Sequence, residues 1–359
     1  MNRAWWHKID FTLVLAVSTL VFIGILMIYS ANGREPDSLS EVKKQLFYFL
    51  TGLVLMAVFT LVDYELWGRT SWYIYGLTIA LLIAVMLFGH SAKGAQRWLS
   101  LGPIGAFQPS EMAKLAVIIT LARFLSLHDS WTSRDILKAL FYMLVPLALI
   151  FVQPDLGTAL VLLAVTAAML FAIGVKPWIL LSTLCAGLFT APFILKEYQK
   201  KRLLTFLNPE ADPEGAGWNL VQAKIAVGSG KLWGKGIFMG TQNNLNFVPE
   251  HSTDFIFTVI GEELGLVGGV GILVLYFYVL WKGIAIAESS HDLFGSLLAI
   301  GIVAMLGFHV FVNIGMTLGI MPVAGIPLPF VSYGGSSLIT SMVAMGMLGS
   351  IYFRRERIF

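Results

Sequence analysis

Charge is scarce in this chain. Of its 359 residues 13% are Asp, Glu, Lys or Arg and 57% are hydrophobic, where soluble domains carry about 25% charged residues. A soluble protein so poor in charge could not cover its own surface, and the mean hydropathy of +0.79 points the same way. An ordinary globular enzyme, a disordered chain and a nucleic-acid binder are excluded. Cysteine is almost missing. The lone Cys185 rules out an internal disulfide and any Cys-based zinc or iron–sulfur site. Internal repeats and low-complexity tracts are absent too, and the net charge of +3 is too small to imply a polyanionic partner.

What remains is long apolar runs. A bilayer-crossing helix needs roughly 20 mainly apolar residues. Ten runs qualify, near 9–30, 45–63, 71–89, 108–127, 135–152, 156–175, 177–195, 257–281, 294–317 and 332–353. They are continuous rather than alternating, which argues against a membrane barrel. The first run is longer than a signal-peptide core and has Tyr29 where a cleavage site would need a small residue. The expected fold is all-α, a single polytopic membrane domain over 1–359, with one long extracellular loop, 196–256, between the seventh and eighth runs. An even number of crossings puts both termini on one side. Arg3, Lys8, Arg354, Arg355 and Arg357 lie there, with Arg69, Arg123, Arg134, Lys138, Lys176 and Lys282 in the connections. Long loops report orientation poorly; with 196–256 set aside, the basic bias places both termini in the cytoplasm.

Strict alternation then gathers the unusual residues on the opposite face. They are Lys93 to Trp98, Gln108 to Lys114, Gln153 to Thr158, the 196–256 connection and Pro322 to Gly335. Ionisable residues at membrane depth are functional candidates by default. Glu111 and Lys114, at i and i+3, share a helix face behind Pro109 in the first turn. They are either a mutually neutralising pair or the wall of a polar cavity where Lys114 meets an anion. Arg97 beside Trp98 suits a phosphate or diphosphate, as planar bidentate donors do, or else anchors the chain at the membrane boundary. Asp155 reads as a helix N-cap, with or without a role in the site. His251, Ser252, Thr253 and Asp254 lead into the eighth crossing, with Glu262 and Glu263 further in. Asp254 either caps that helix, serves as general base, or holds a divalent ion that offsets a leaving diphosphate.

The long connection begins basic at Lys196, Lys200, Lys201 and Arg202 and turns amphipathic over 202–207. Asn208-Pro209 and Asp212-Pro213 punctuate it, and a short helix is expected over 217–227, ended by Gly228 or Gly230. The amphipathic part is expected to lie on the bilayer surface. The stretch Gly228 to Gly236 fails both nucleotide fingerprints, because its glycines are misplaced and Gly236 stands where Ser or Thr is required. Lys224, Lys231 and Lys235 there suit anionic headgroups, or anchor the chain. His309 and Asn313, at i and i+4, are read as glue between helices. The Pro-rich stretch 322–329 cannot continue a helix and is expected to fold back into the outer leaflet.

The chain resembles the SEDS family (shape, elongation, division and sporulation), most closely its RodA branch. The resemblance rests on KGAQRW at 93–98, QPSEMAK at 108–114, QPDLGTA at 153–159, GKGIFMGTQ at 234–242, FVPEHSTDFIF at 247–257 and GIPLPFVSYGGSS at 325–337. Lys231 and Ala324 depart from it, where Gly and Thr are expected. It implies a ten-helix peptidoglycan glycosyltransferase that polymerises lipid II at the outer face of the cytoplasmic (inner) membrane during cell elongation. It also implies a class B penicillin-binding protein as transpeptidase partner, alongside other elongation-complex membrane proteins. The family's essential loop aspartate falls on Asp254 and its helix-four ionic pair on Glu111 and Lys114. With Asp254 as the catalytic group, the residues expected to bind substrate are Arg97, Glu111, Lys114, Asp155, Lys224, His251, Ser252, Thr253 and Ser332. A divalent cation, Mg or Mn, is a candidate cofactor on Asp254; a nucleotide and a nucleic acid are not expected. The competing readings are a lipid II flippase, which would place its site near the midplane between repeated halves, and a non-catalytic scaffold of the wall-synthesis complex.

Overall fold

The computed structural model describes residues 9–32, 36–92, 95–100, 106–128, 131–194, 197–209, 215–245 and 247–355. Arg3, Lys8, Lys93, Gly94, Lys196, Asp212, Pro213 and Arg357 fall outside the described residues. The helices are α1 (Phe11–Ala31), α2 (Pro36–Leu61), α3 (Tyr64–Arg69), α4 (Ser71–Phe88), α5 (Pro109–Ser126), α6 (Ser133–Val152), α7 (Leu156–Ala172), α8 (Pro177–Ile194), α9 (Glu197–Leu207), α10 (Ala216–Ser229), α11 (Thr241–Asn244), α12 (Ile256–Glu288), α13 (Leu293–Thr317) and α14 (Gly335–Arg354). All ten apolar runs of the sequence fall on helices. Among the described residues, seven of those helices are long and apolar enough to cross a membrane. Among the described residues the regular structure is helical apart from one small sheet.

That sheet was not expected. The connection after α4 folds as β1 (His90–Ala92), β2 (Ala95–Ser100) and β3 (Ala106–Phe107), antiparallel, with Leu99 opposite Phe107. Strands this short have too few residues to show an alternation that stands out from their apolar surroundings.

α5 and α13 form the centre. α5 is buried along nearly its whole length, and α13 packs against α7, α5 and α12. Without a hydrophobic drive between helices in lipid, close approach depends on small residues. Gly301 of α13 is such a point, because a Cβ there would lie 2.6 Å from Ile118 Cγ2 on α5. The outer faces carry exposed apolar side chains such as Phe22 and Phe277, as lipid contact requires. Carboxylates start several helices. Asp10 accepts from Leu13 N (3.2 Å), Asp292 from Gly295 N (2.8 Å), and Thr132 with Asp135 forms a capping box on α6.

α12 breaks at Gly265, whose φ of 65° and ψ of −161° lie outside the helical region. The break would orphan backbone groups at membrane depth, which is costly. The glycine-rich segment replaces the lost bonds. Lys235 N and Gly236 N donate to Glu262 O and Glu263 O (both 3.0 Å), while Leu266 N and Val267 N donate to Lys231 O and Leu232 O (2.9 and 3.1 Å). The connection between α8 and α12 is therefore built into the bundle and is not a plain linker. Lys231 lies at φ 53°, a left-handed conformation that favours glycine, which is why a glycine was the expected residue there. The short helix expected over 217–227 is α10, followed by Gly230 as C-cap.

Candidate active site

Asp254 lies in a series of turns just ahead of α12. It does not cap that helix, contrary to one sequence expectation. Glu250, at φ 58°, turns the chain, and its carbonyl accepts from Thr253 N (3.1 Å) and Phe255 N (3.2 Å). The helix then starts two residues beyond Asp254, with Phe255 as N-cap and no side-chain cap. The Asp254 carboxylate is thus left out of helix capping.

The backbone around it is pinned. Asn313 Nδ2, on α13, donates to Asp254 O (2.8 Å) and to Ile326 O (2.7 Å). Ser332 Oγ donates to Thr253 O (2.5 Å) and accepts from Leu328 N (2.8 Å), and Tyr333 N donates to Ser252 O (2.9 Å). Gln45 on α2 completes the staple, with Nε2 on Ser332 O (3.1 Å) and Oε1 accepting from Gly334 N (3.2 Å). Two irregular segments, 250–255 and 322–334, hold each other in place. Their backbone groups are thus satisfied by each other and by α2 and α13. His251 ties the same loop to the end of α1, its ring nitrogens lying 3.0 Å from Val248 O and 3.2 Å from Asn32 Oδ1. Thr253 Oγ1 turns to Glu250 Oε2 (3.1 Å).

One helical turn along α13 from Asn313 lies His309. Its Nδ1 is 2.6 Å from Met305 O, so Nδ1 carries the proton and Nε2 is left to accept. Lys114 Nζ sits 2.9 Å from that Nε2 and 2.8 Å from Glu111 Oε1. Lys114 is 2% exposed and Glu111 6%. The expected pair therefore exists, but it is enclosed between α5 and α13 instead of walling an open cavity. A buried ion pair costs desolvation, which close geometry and extra hydrogen bonds offset; here His309 supplies the extra bond. His309 and Asn313 do glue helices together, and they also connect the ion pair to the Asp254 loop, which their spacing alone did not reveal.

Arg97, on β2, grips the turn between α6 and α7. It donates to Gln153 O (3.0 Å) and Pro154 O and lies 3.8 Å from Asp155 Oδ1. Asp155 caps α7 through Thr158 N (3.2 Å) and accepts from Gln108 Nε2 and Ser110 Oγ (3.2 Å each). Both readings made from sequence, cap and site member, are geometrically available. α7 begins against the 322–334 segment, where a Cβ at Gly157 would stand 2.8 Å from Ala324 O. On the other side of that segment, a Cβ at Gly325 would stand 3.6 Å from Asp254 Oδ2 and 3.8 Å from Arg202 Nη1.

The structure thus brings Arg97, Glu111, Lys114, Asp155, His251, Ser252, Thr253, Asp254 and Ser332 to one end of the bundle. Lys224 joins them from α10, its side chain lying against Gly319 beyond the last turn of α13. Lys235 departs from the basic surface expected of it, pairing instead with Glu262 Oε1 at 2.7 Å. Gln45, His309, Asn313 and Arg202 are the partners that sequence reasoning did not assign to the site. Among the described residues no three His, Cys, Asp or Glu side chains gather as a metal site.

Comparison with known proteins identifies relatives over nearly the whole chain. The family model FTSW_RODA_SPOVE, described as cell cycle protein, matches residues 11–357. The peptidoglycan glycosyltransferase MrdB of Escherichia coli (strain K12) is 41% identical over 367 residues, covering 99% of this chain and 97% of that protein. The peptidoglycan glycosyltransferase RodA of Treponema pallidum (strain Nichols) is 35% identical over 424 residues, covering 96% and 98%. Among solved structures, a chain from a peptidoglycan synthase complex that coordinates polymerization and crosslinking superimposes with a TM-score of 0.83 at 32% identity, covering 98% and 99%. The rod shape determining protein RodA of Thermus thermophilus superimposes with a TM-score of 0.75 at 30% identity, covering 98% of each chain.

Proposed function

The chain belongs to the FtsW, RodA and SpoVE family of cell cycle proteins, and we propose that it polymerises lipid II into glycan strands at the outer face of the inner membrane. It is a peptidoglycan glycosyltransferase and a multi-pass membrane protein. In this reading the ten apolar helices all cross, both termini are cytoplasmic, 1–359 is a single membrane domain and 196–256 lies outside. The partner is a class B penicillin-binding protein that cross-links the new strand. The observation that carries the reading is Asp254, held by its backbone between α13 and the 322–334 segment, with its carboxylate not used as a cap.

A sugar hydroxyl of one lipid-linked molecule attacks the anomeric carbon of another. The new glycosidic C–O bond forms as the bond to the lipid diphosphate breaks, and the diphosphate leaves with the electron pair. Asp254 takes the hydroxyl proton and later returns it to water. The cationic side chains of this end offset the charge on the leaving group, and the Glu111–Lys114–His309 unit, a closed ion pair, ties α5 to α13 beneath it. Ser332 and His251 position the loop. A divalent cation, Mg or Mn, is part of the proposal in one form only. Asp254 would hold such an ion, which would supply positive charge against the leaving diphosphate. Asp254→Ala in folded, purified protein is expected to give no glycan polymer on a lipid II gel assay; full polymer would remove the assigned role. Transport of labelled lipid II into vesicles without polymer would favour a flippase instead.

A further inference from the structure

Arg202 is a cation at this end to which the mechanism above gives no individual role. It lies on α9, where Gln199 and Thr205 are 1% and 4% exposed while Leu203, Leu204 and Leu207 face outward. Residues three apart share a helix face, so Arg202 belongs to the inward face with Gln199 and Thr205 and is itself only half-buried. Its guanidinium reaches the 322–334 segment at Gly325, on the point where the Asp254 carboxylate also arrives. A Cβ built at Gly325 would touch both charged groups, at 3.8 and 3.6 Å, so the two meet at the same glycine. Gly325 adopts φ 68°, a backbone turn that favours glycine. Among the described residues the Arg202 guanidinium has no hydrogen-bond or ion-pair partner. Arg97, by contrast, spends its donors on Gln153 O and Pro154 O.

An arginine with a free planar fork, beside a reacting carboxylate and over a glycine floor, is built to receive a planar or tetrahedral oxyanion. We propose that Arg202 is a substrate-binding residue that grips the diphosphate of the lipid-linked sugar near Gly325, beside Asp254. The proposal rests on the glycosyltransferase reading of Asp254 and adds to it the subsite for the leaving group. α9 brings the clamp into register, because its apolar side lies outward while Arg202 points in. The grip strengthens as charge builds on the leaving oxygen, so Arg202 contributes to rate as well as to binding.

The test separates the two claims by using inorganic pyrophosphate as the probe, on the full chain in detergent. Titration calorimetry is expected to show at least tenfold weaker pyrophosphate binding for Arg202→Gln and a partial recovery for Arg202→Lys, which keeps the charge and loses the fork. Asp254→Ala is expected to keep or improve pyrophosphate affinity while polymerisation is lost. In the unmutated protein, pyrophosphate is expected to protect Arg202 from phenylglyoxal, read by mass spectrometry, which needs no variant to fold. Equal pyrophosphate affinity in wild type and a folded Arg202→Gln, or no protection of Arg202, overturns the assignment. Full polymer from Asp254→Ala would sink the catalytic reading alone, since the affinity and protection measurements judge the anion site by themselves.

Discussion

Asp254 and Glu262 stand on the same stretch of chain, one just before α12 and one inside it, yet their surroundings are opposite. Glu262 Oε1 accepts from Lys235 Nζ (2.7 Å), Thr241 N (2.8 Å), Thr241 Oγ1 (3.1 Å) and Gln242 N (3.0 Å), and the residue is fully buried. It locks the glycine-rich segment onto the break at Gly265. Asp254 is held through its backbone carbonyl, while its carboxylate points toward an arginine across an open glycine. Four donors on one oxygen commit Glu262 to the fold, whereas Asp254 presents its carboxylate where α9 meets the 322–334 segment. The difference predicts different failures. Asp254→Ala is expected to abolish polymer, by more than a thousandfold, with thermal stability unchanged, as a gel assay beside a melting curve would show. A parallel loss of stability would erase the contrast.

Glu262→Ala should fail the other way. Lys235, 28% exposed, can turn to water, so the cost falls mainly on the two backbone N–H groups that lose their acceptor, about 1–3 kcal/mol each. The measurable result is a lower melting temperature and a poorer yield, with the folded fraction still making polymer. Glu262→Ala protein that folds normally but is catalytically dead would move Glu262 into the chemistry and break the comparison from the other side.

Much of this was legible in the sequence. The i, i+3 spacing of Glu111 and Lys114, the cap at Asp155 and the convergence of five polar segments on one face all follow from local pattern and alternation. What was not legible depends on long-range packing. Glu262 and Asp254 look alike in sequence, because the donors that distinguish them are distant, Lys235, Thr241 and Gln242 on the Glu262 carboxylate and Asn313 on the Asp254 backbone carbonyl. Arg202 appeared as one of four basic residues, and only the burial of Gln199 and Thr205 shows that it faces inward. The cap assigned to Asp254 failed because Glu250 turns the chain first, at a positive φ that a glutamate does not advertise. The strands after α4 were too short to register as alternation.

The Glu111–Lys114 pair lies between the two extremes, buried like Glu262 but one turn of α13 from the Asp254 staple. Lys114→Met leaves Glu111 unpaired inside the bundle and is expected to cost about 3–5 kcal/mol. Replacing both, Glu111→Gln with Lys114→Met, should recover most of that stability, because apolar and neutral groups of similar size often match a buried pair. Polymerisation by the double variant is nevertheless expected to stay roughly tenfold down, a loss of about 1.4 kcal/mol in transition-state stabilisation, because Lys114 no longer holds His309 and the stretch of α13 that carries Asn313. Recovery of both stability and rate would show that the pair is only a neutral plug.

The smallest expected effect falls on Ser332, which holds the Asp254 loop without carrying charge. Its hydroxyl donates to Thr253 O and accepts from Leu328 N at 2.5 and 2.8 Å, and Ser332→Ala removes both bonds at once. A buried backbone group left without its partner costs about 1–3 kcal/mol. Gln45 and Tyr333 N still hold the two segments together, so the loop should loosen without unfolding. The measurable result is a small drop in melting temperature with a several-fold fall in kcat, and no change in KM for lipid II. Arg202→Gln should show a raised KM instead. A raised KM in Ser332→Ala would mean that the hydroxyl contacts substrate and that the staple is part of the binding surface.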